Sequence, residues 1–158
     1  MKQKIALFIL SVIAINTTIS QNLKFYDLKC DEVTLDTLKT NILIFISTNS
    51  CHSCYVDINK YLDNSGLYKD NNLNISTISF LEQEELNNID TRKIFYNASK
   101  YYFPNIKLRL FCDVKKYKFL CDKDIDEKLF PIIIIIQKDT KIIFEKYTNF
   151  FNYKLQRK

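Results

Sequence analysis

NILIFISTNSCHSC, the stretch from Asn41 to Cys54, decides how the rest of the chain is read. From Asn41 to Ser47 it is apolar on both faces and rich in β-branched isoleucine. A strand covered on both faces loses the polar alternation of a surface strand, so this segment reads as a central strand. Thr48-Asn49-Ser50 is a polar turn, with Asn49 or Ser50 suited to cap a helix. The helix is expected from about Cys51 to Leu62, with Val56, Ile58 and Leu62 available for packing. Cys51-His52-Ser53-Cys54 therefore falls between a buried strand and the start of a helix. A CxxC alone is also half a zinc site; at a helix N-terminus after a central strand it is the redox arrangement. There, unpaired backbone N–H groups and the helix dipole favour a thiolate at Cys51. Cys54, one turn on, is within reach of a mixed disulfide formed at Cys51. His52, when protonated, adds a positive charge beside that thiolate.

The flanking segments extend the pattern. Leu23–Leu28 reads as a short strand or extended lead-in and Val33–Leu35 as a short strand, with a turn or one helical turn over Asp36–Thr40. Gly66 marks a loop after the helix, and Leu73–Phe80 is a further strand. Glu82–Tyr102 reads as one helix with Leu86, Ile89, Ile94, Phe95, Ala98 and Tyr102 recurring at near-helical spacing. Glu82-Gln83-Glu84-Glu85 is its solvated, acidic start, and Pro104 ends it. Leu108–Cys112 is a short strand, and Val114–Asp126 is ambiguous, with helix one reading. Pro131 opens the buried strand Ile132–Gln137, and Lys141–Tyr147 returns as a hairpin partner. Residues 148–158 read as helix or frayed terminus. Strands alternating with helices around a buried sheet mean an α/β fold.

Composition narrows the chemistry. The chain has 158 residues, 47% apolar and 26% charged, which suits one folded domain and argues against disorder or a multi-pass membrane protein. A single glycine excludes Gly-rich phosphate loops. A single histidine, His52, excludes multi-histidine metal sites and argues against a Ser-His-Asp triad. The net charge of +5 comes from basic residues scattered among acids, with no stripe for nucleic acid.

The N-terminus reads as an address. Met1-Lys2-Gln3-Lys4 is basic, Ile5–Ile15 is apolar except for Ser11, and small residues stand at Thr18 and Ser20. This is the pattern of a secretory signal, residues 1–20, cut before Gln21 and leaving residues 21–158 as a single domain. An uncleaved membrane anchor or a buried N-terminal helix are the other readings. Export implies an extracytoplasmic location, periplasmic or secreted.

Taken in order, these residues resemble the thioredoxin superfamily, and within it the extracytoplasmic TlpA- or ResA-like thiol–disulfide oxidoreductases. The segment Val33-Thr34-Leu35-Asp36-Thr37-Leu38-Lys39, followed by Ile42-Leu43-Ile44-Phe45 and the CxxC, looks like that group's lead-in. Asp57 stands where the group has an acid three residues after the second cysteine. Phe103-Pro104 to Asp113 resembles its segment after an added strand and helix, and Pro131 falls where it has a cis-proline. The resemblance covers residues 24–147. It implies a central mixed sheet flanked by helices, with a strand–helix insertion between the CxxC helix and the cis-proline strand. It implies Cys51 as attacking thiolate and Cys54 as resolving thiol, with His52 and Asp57 tuning them. Phe130 and Pro131 would line the substrate groove. Protein thiols or disulfides and an upstream redox partner are the implied partners, and no bound cofactor is needed. The chain departs from the pattern with Ser50 in place of tryptophan, His52-Ser53 without proline inside the motif, Phe130 before Pro131, and Asp139-Thr140 in place of a hairpin glycine. Residues inside and facing the motif set redox potential and substrate.

Alternatives remain open. A strand-start proline is the plain reading of Pro131. Asp57 reads equally as a solvated helix residue. Cys112 and Cys121 are expected to form a structural disulfide, with a second redox pair as the other reading; Cys30 is left over. The other functional classes are a thioredoxin-like binding module or copper carrier using Cys51, Cys54 and His52, and a peroxiredoxin-like peroxidase. Thr48 fits the peroxidase motif, but Ile44 replaces its proline.

Overall fold

The computed structural model describes residues 24–47, 51–115, 131–137, 140–144 and 146–153. The signal segment 1–20 lies outside these residues, as do Thr48, Asn49, Ser50, Cys121, Phe130, Asp139 and most of Val114–Asp126.

Among the described residues, seven strands form one mixed sheet: β1 (Phe25–Tyr26), β2 (Glu32–Val33), β3 (Thr40–Ile46), β4 (Leu73–Leu81), β5 (Leu108–Asp113), β6 (Ile132–Gln137) and β7 (Thr140–Phe144). Their order across the sheet is β2-β1-β5-β4-β3-β6-β7. Helix α1 (His52–Asn64) follows β3, α2 (Gln83–Asn87) and α3 (Ile89–Tyr102) lie between β4 and β5, and α4 (Tyr147–Phe151) follows β7. The expected α/β architecture is present, and α2, α3 and β5 stand between the CxxC helix and the strand that begins after Pro131.

β3 is central because both its faces are apolar. It runs parallel to β4, with Phe45 opposite Ile78, and antiparallel to β6, with Phe45 opposite Ile132. Ile42, Ile44 and Ile46 join Tyr55, Ile58 and Leu62 of α1 and Ile133 and Ile135 of β6 in one core. Leu43 and Phe45 join Ile78, Leu110, Ile132 and Ile134 in a second core on the other face. The run of isoleucines in β6 thus feeds both cores alternately, as the two-residue period of a strand requires. Gly66, after α1, takes a left-handed φ of 71°, which a side chain would make costly.

The expected single helix over Glu82–Tyr102 is two helices. Asn88 is extended (φ −92°, ψ 113°), and its side chain accepts from the N–H groups of Asp90 at 2.9 Å and Thr91 at 3.3 Å. An asparagine that caps the next helix interrupts the one before it. The packing face is the expected one only in part: Leu86 is buried and Phe95 and Tyr102 pack against the cores. Ile94 is 63% exposed, whereas Arg92 and Ser99 are buried. Arg92 donates to the carbonyls of Leu28 and Leu86, and Ser99 and Thr77 share a hydroxyl hydrogen bond of 2.6 Å. Buried backbone and hydroxyl groups need partners, and here that need outranks the apolar stripe.

Candidate active site

Helix α1 begins one residue later than its sequence suggests, because Cys51 itself is the N-cap. The residues expected to cap it, Asn49 or Ser50, lie outside the described residues. The Cys51 carbonyl accepts from the N–H groups of Cys54 (3.1 Å) and Tyr55 (3.4 Å), and its Sγ accepts from the Cys54 N–H at 3.3 Å. The sulfur therefore occupies the place of a capping oxygen, at the positive end of the helix.

Cys51 and Cys54 are joined by a disulfide, with Cα atoms 5.3 Å apart. Their surroundings are unequal. Cys51 is exposed and Cys54 is buried, so an incoming thiolate meets the Cys51 sulfur first. Ser53 Oγ lies 3.2 Å from Cys51 Sγ. A disulfide sulfur carries no proton, so the serine hydroxyl donates.

His52, next to Cys51, is exposed, and its Nδ1 lies 2.6 Å from the Tyr102 hydroxyl at the end of α3. The two rings meet edge to face at 5.2 Å. Tyr102 also packs on Tyr55, with ring centroids 5.2 Å apart. Tyr55 is buried, and its hydroxyl accepts from the Ser47 N–H at 2.8 Å and donates to the Ser47 carbonyl at 3.0 Å. The end of β3, the cysteine helix and the end of α3 are thereby linked through two tyrosines.

Pro131 is buried immediately before β6. Because Ile132 pairs with Phe45 in an antiparallel register, Pro131 stands at the sheet end from which β3 leads to the cysteines. Phe130 is outside the described residues. Asp57 lies on the exposed side of α1, and Val56, expected to pack, is 41% exposed. Helix α1 turns the face of Tyr55, Ile58 and Leu62 to the sheet, which leaves Val56 and Asp57 outward.

The remaining cysteines stand apart. Cys30 is half-buried in the β1–β2 turn with φ 72°, and its Sγ donates to the Leu86 carbonyl at 3.7 Å. Cys112 is buried in β5; its expected partner Cys121 lies outside the described residues. Among the described residues, no cluster of three or more His, Cys, Asp or Glu side chains is arranged to hold a metal ion. An open cavity of about 270 Å³ lies at the opposite end of the sheet, by Lys39, Leu73, Lys107 and Leu108, and is separate from the cysteine pair. Tyr68 lines it, and burial followed by the Asp63 charge holds its phenol well above the usual range.

Sequence reasoning missed Tyr55, Tyr102 and Ser47. A tyrosine directly after the second cysteine was a usable signal for Tyr55. Tyr102 had none, since fifty positions separate it from His52.

No family model matches the chain, and no curated protein matches its sequence. Solved structures do match. A thioredoxin-like protein from Aeropyrum pernix superposes with a TM-score of 0.56 at 18% identity, over 81% of each chain. A thiol:disulfide interchange protein from Bacteroides sp. does so at 0.54 and 19% identity, covering 82% of this chain and 81% of the other. A secreted Mycobacterium tuberculosis disulfide oxidoreductase gives 0.51 at 10% identity, covering 79% of this chain and 84% of the other. Sheet order, cysteine helix and these superpositions agree: the chain has the thioredoxin-like fold.

Proposed function

We propose that this protein is an exported thiol–disulfide oxidoreductase acting on protein substrates through Cys51 and Cys54. One observation carries the reading: a disulfide whose exposed member caps a helix while the other is buried one turn on. In the reduced protein, the Cys51 thiolate attacks a substrate disulfide, joins one substrate sulfur and releases the other as a thiolate. Cys54 then loses its proton and attacks the Cys51 sulfur, closing the intramolecular disulfide and releasing the second substrate thiolate. Two electrons pass from the pair to the substrate, and an upstream redox partner restores them; oxidising the substrate runs the same steps backwards.

His52 and Asp57 are the tuning residues in this reading. Pro131, buried before β6 at the cysteine end of the sheet, and its neighbour Phe130 are the residues this reading assigns to the substrate groove, with backbone beside the proline pairing with an extended substrate chain. Residues 21–158 act as one domain after removal of residues 1–20, in an extracytoplasmic compartment. That part is supported by the basic start and apolar run, and by solved neighbours such as the secreted mycobacterial oxidoreductase. Mass measurement of the exported chain checks it, with Gln21 expected at the N-terminus.

The activity is tested by titrating the pair against glutathione buffers and trapping free thiols. A potential near about −270 mV marks a reductase, and one near about −120 mV an oxidant. Cys51→Ser is expected to abolish exchange; exchange that survives it at the wild-type rate rejects the assignment.

A further inference from the structure

Among the described residues, the side chain that meets the His52 ring comes from α3, fifty positions away. Tyr102 is the last residue of α3, and its hydroxyl lies 2.6 Å from His52 Nδ1. His52 is exposed, and an exposed imidazole samples several rotamers unless something fixes it. Here the fixing group is itself braced. The Tyr102 ring packs on Tyr55, and Tyr55 is pinned by two hydrogen bonds to the backbone of Ser47 at the end of β3. Tyr101 adds an edge contact to the Tyr102 ring at 5.0 Å.

From this chain of contacts we infer that Tyr102 is a positioning residue: it holds the ring of His52, the residue that follows Cys51, in one orientation and so sets the redox equilibrium of the cysteine pair. The inference rests on the thiol–disulfide reading above. A hydroxyl is suited to the task because it both donates and accepts. It donates to a neutral Nδ1, leaving the ring proton on Nε2, and it accepts from Nδ1–H when the ring is charged. The contact therefore survives a change of charge on the imidazole. A charge that stays in one place acts on the sulfur of the adjacent residue with constant strength, since the interaction depends on distance. No covalent step involves Tyr102. Its effect is confined to how His52 weights the thiolate against the disulfide.

The test is a double-variant cycle on the full chain, reading the equilibrium constant of the Cys51–Cys54 pair with glutathione. Tyr102→Phe removes one oxygen and keeps the ring that packs on Tyr55. It is expected to shift the constant on the order of 2- to 10-fold, the range of one net hydrogen bond. His52→Ala should shift it in the same direction, and the double variant should go no further than His52→Ala alone. Tyr101→Phe, one residue away, should leave the constant unchanged. A spectroscopic arm uses the fact that His52 is the sole histidine, so its ring ¹⁵N signals need no assignment. Tyr102→Phe should move the Nδ1 signal more than the Nε2 signal. An unchanged constant, additive effects in the cycle, or an unmoved Nδ1 signal each overturns the inference while exchange by the wild type keeps the redox reading. A wild-type pair that never exchanges overturns both.

Discussion

Helices α1 and α3 flank the same site, yet α1 packs closer to what its own sequence reads, Val56 apart. α1 buries Tyr55, Ile58 and Leu62 on the isoleucines of β3, an apolar stripe against an apolar face. α3 buries Arg92 and Ser99 and leaves Ile94 63% and Tyr101 79% exposed. The difference lies in what each helix covers. Under α1 the sheet offers isoleucine side chains, with the Ser47 backbone at its end bonded to the Tyr55 hydroxyl. Under α3 lie the carbonyls of Leu28 and Leu86 and the hydroxyl of Thr77, which need donors and acceptors once water is excluded. A stripe of apolar residues predicts the buried face only when the surface beneath it is apolar too.

The contrast breaks first at Ile58. It is fully buried in the core between α1 and β3. Ile58→Ala is expected to cost about 2–5 kcal/mol by urea unfolding, through lost transfer energy plus the cavity left behind. A loss below about 1 kcal/mol would mean that α1 is seated no more tightly than its neighbour.

Arg92→Met sharpens it next. The change keeps a long side chain but removes the donors to Leu28 and Leu86, and a loss of about 1.5–3 kcal/mol is expected, the range for hydrogen bonds to a charged group. A neutral or stabilising outcome, as some buried charges give when replaced by apolar groups, would show that the polar seat of α3 contributes nothing net.

Ile94→Lys should be the mildest. An exposed position tolerates the exchange within about 0.5 kcal/mol. A larger loss in the same unfolding assay would show that the outer face of α3 is covered in solution.

Much of the fold was legible. The apolar runs of β3 and β6 announced buried strands, and their β-branched content and short length separated them from helices. The CxxC between a strand and a helix located the candidate site. Three details escaped. Cys51 took the cap expected of Asn49 or Ser50, because a sulfur at that position meets the Cys54 N–H as an oxygen would. Asn88 split one expected helix in two, because its side chain serves the next helix start. Val56 turned outward, since it stands about 100° around the helix from Tyr55 while Ile58 and Leu62 fall on the Tyr55 side.

The sequence by itself determined the α/β class, the central strand and the cysteine pair at a helix start. All of these follow from local period, capping and spacing, which neighbouring residues encode together. Only the tertiary structure decided which face of α3 is buried, that Pro131 stands at the cysteine end of the sheet, and that Tyr102 reaches His52. Those facts depend on strand register and on surfaces formed by residues far apart in the chain, and no local pattern carries them.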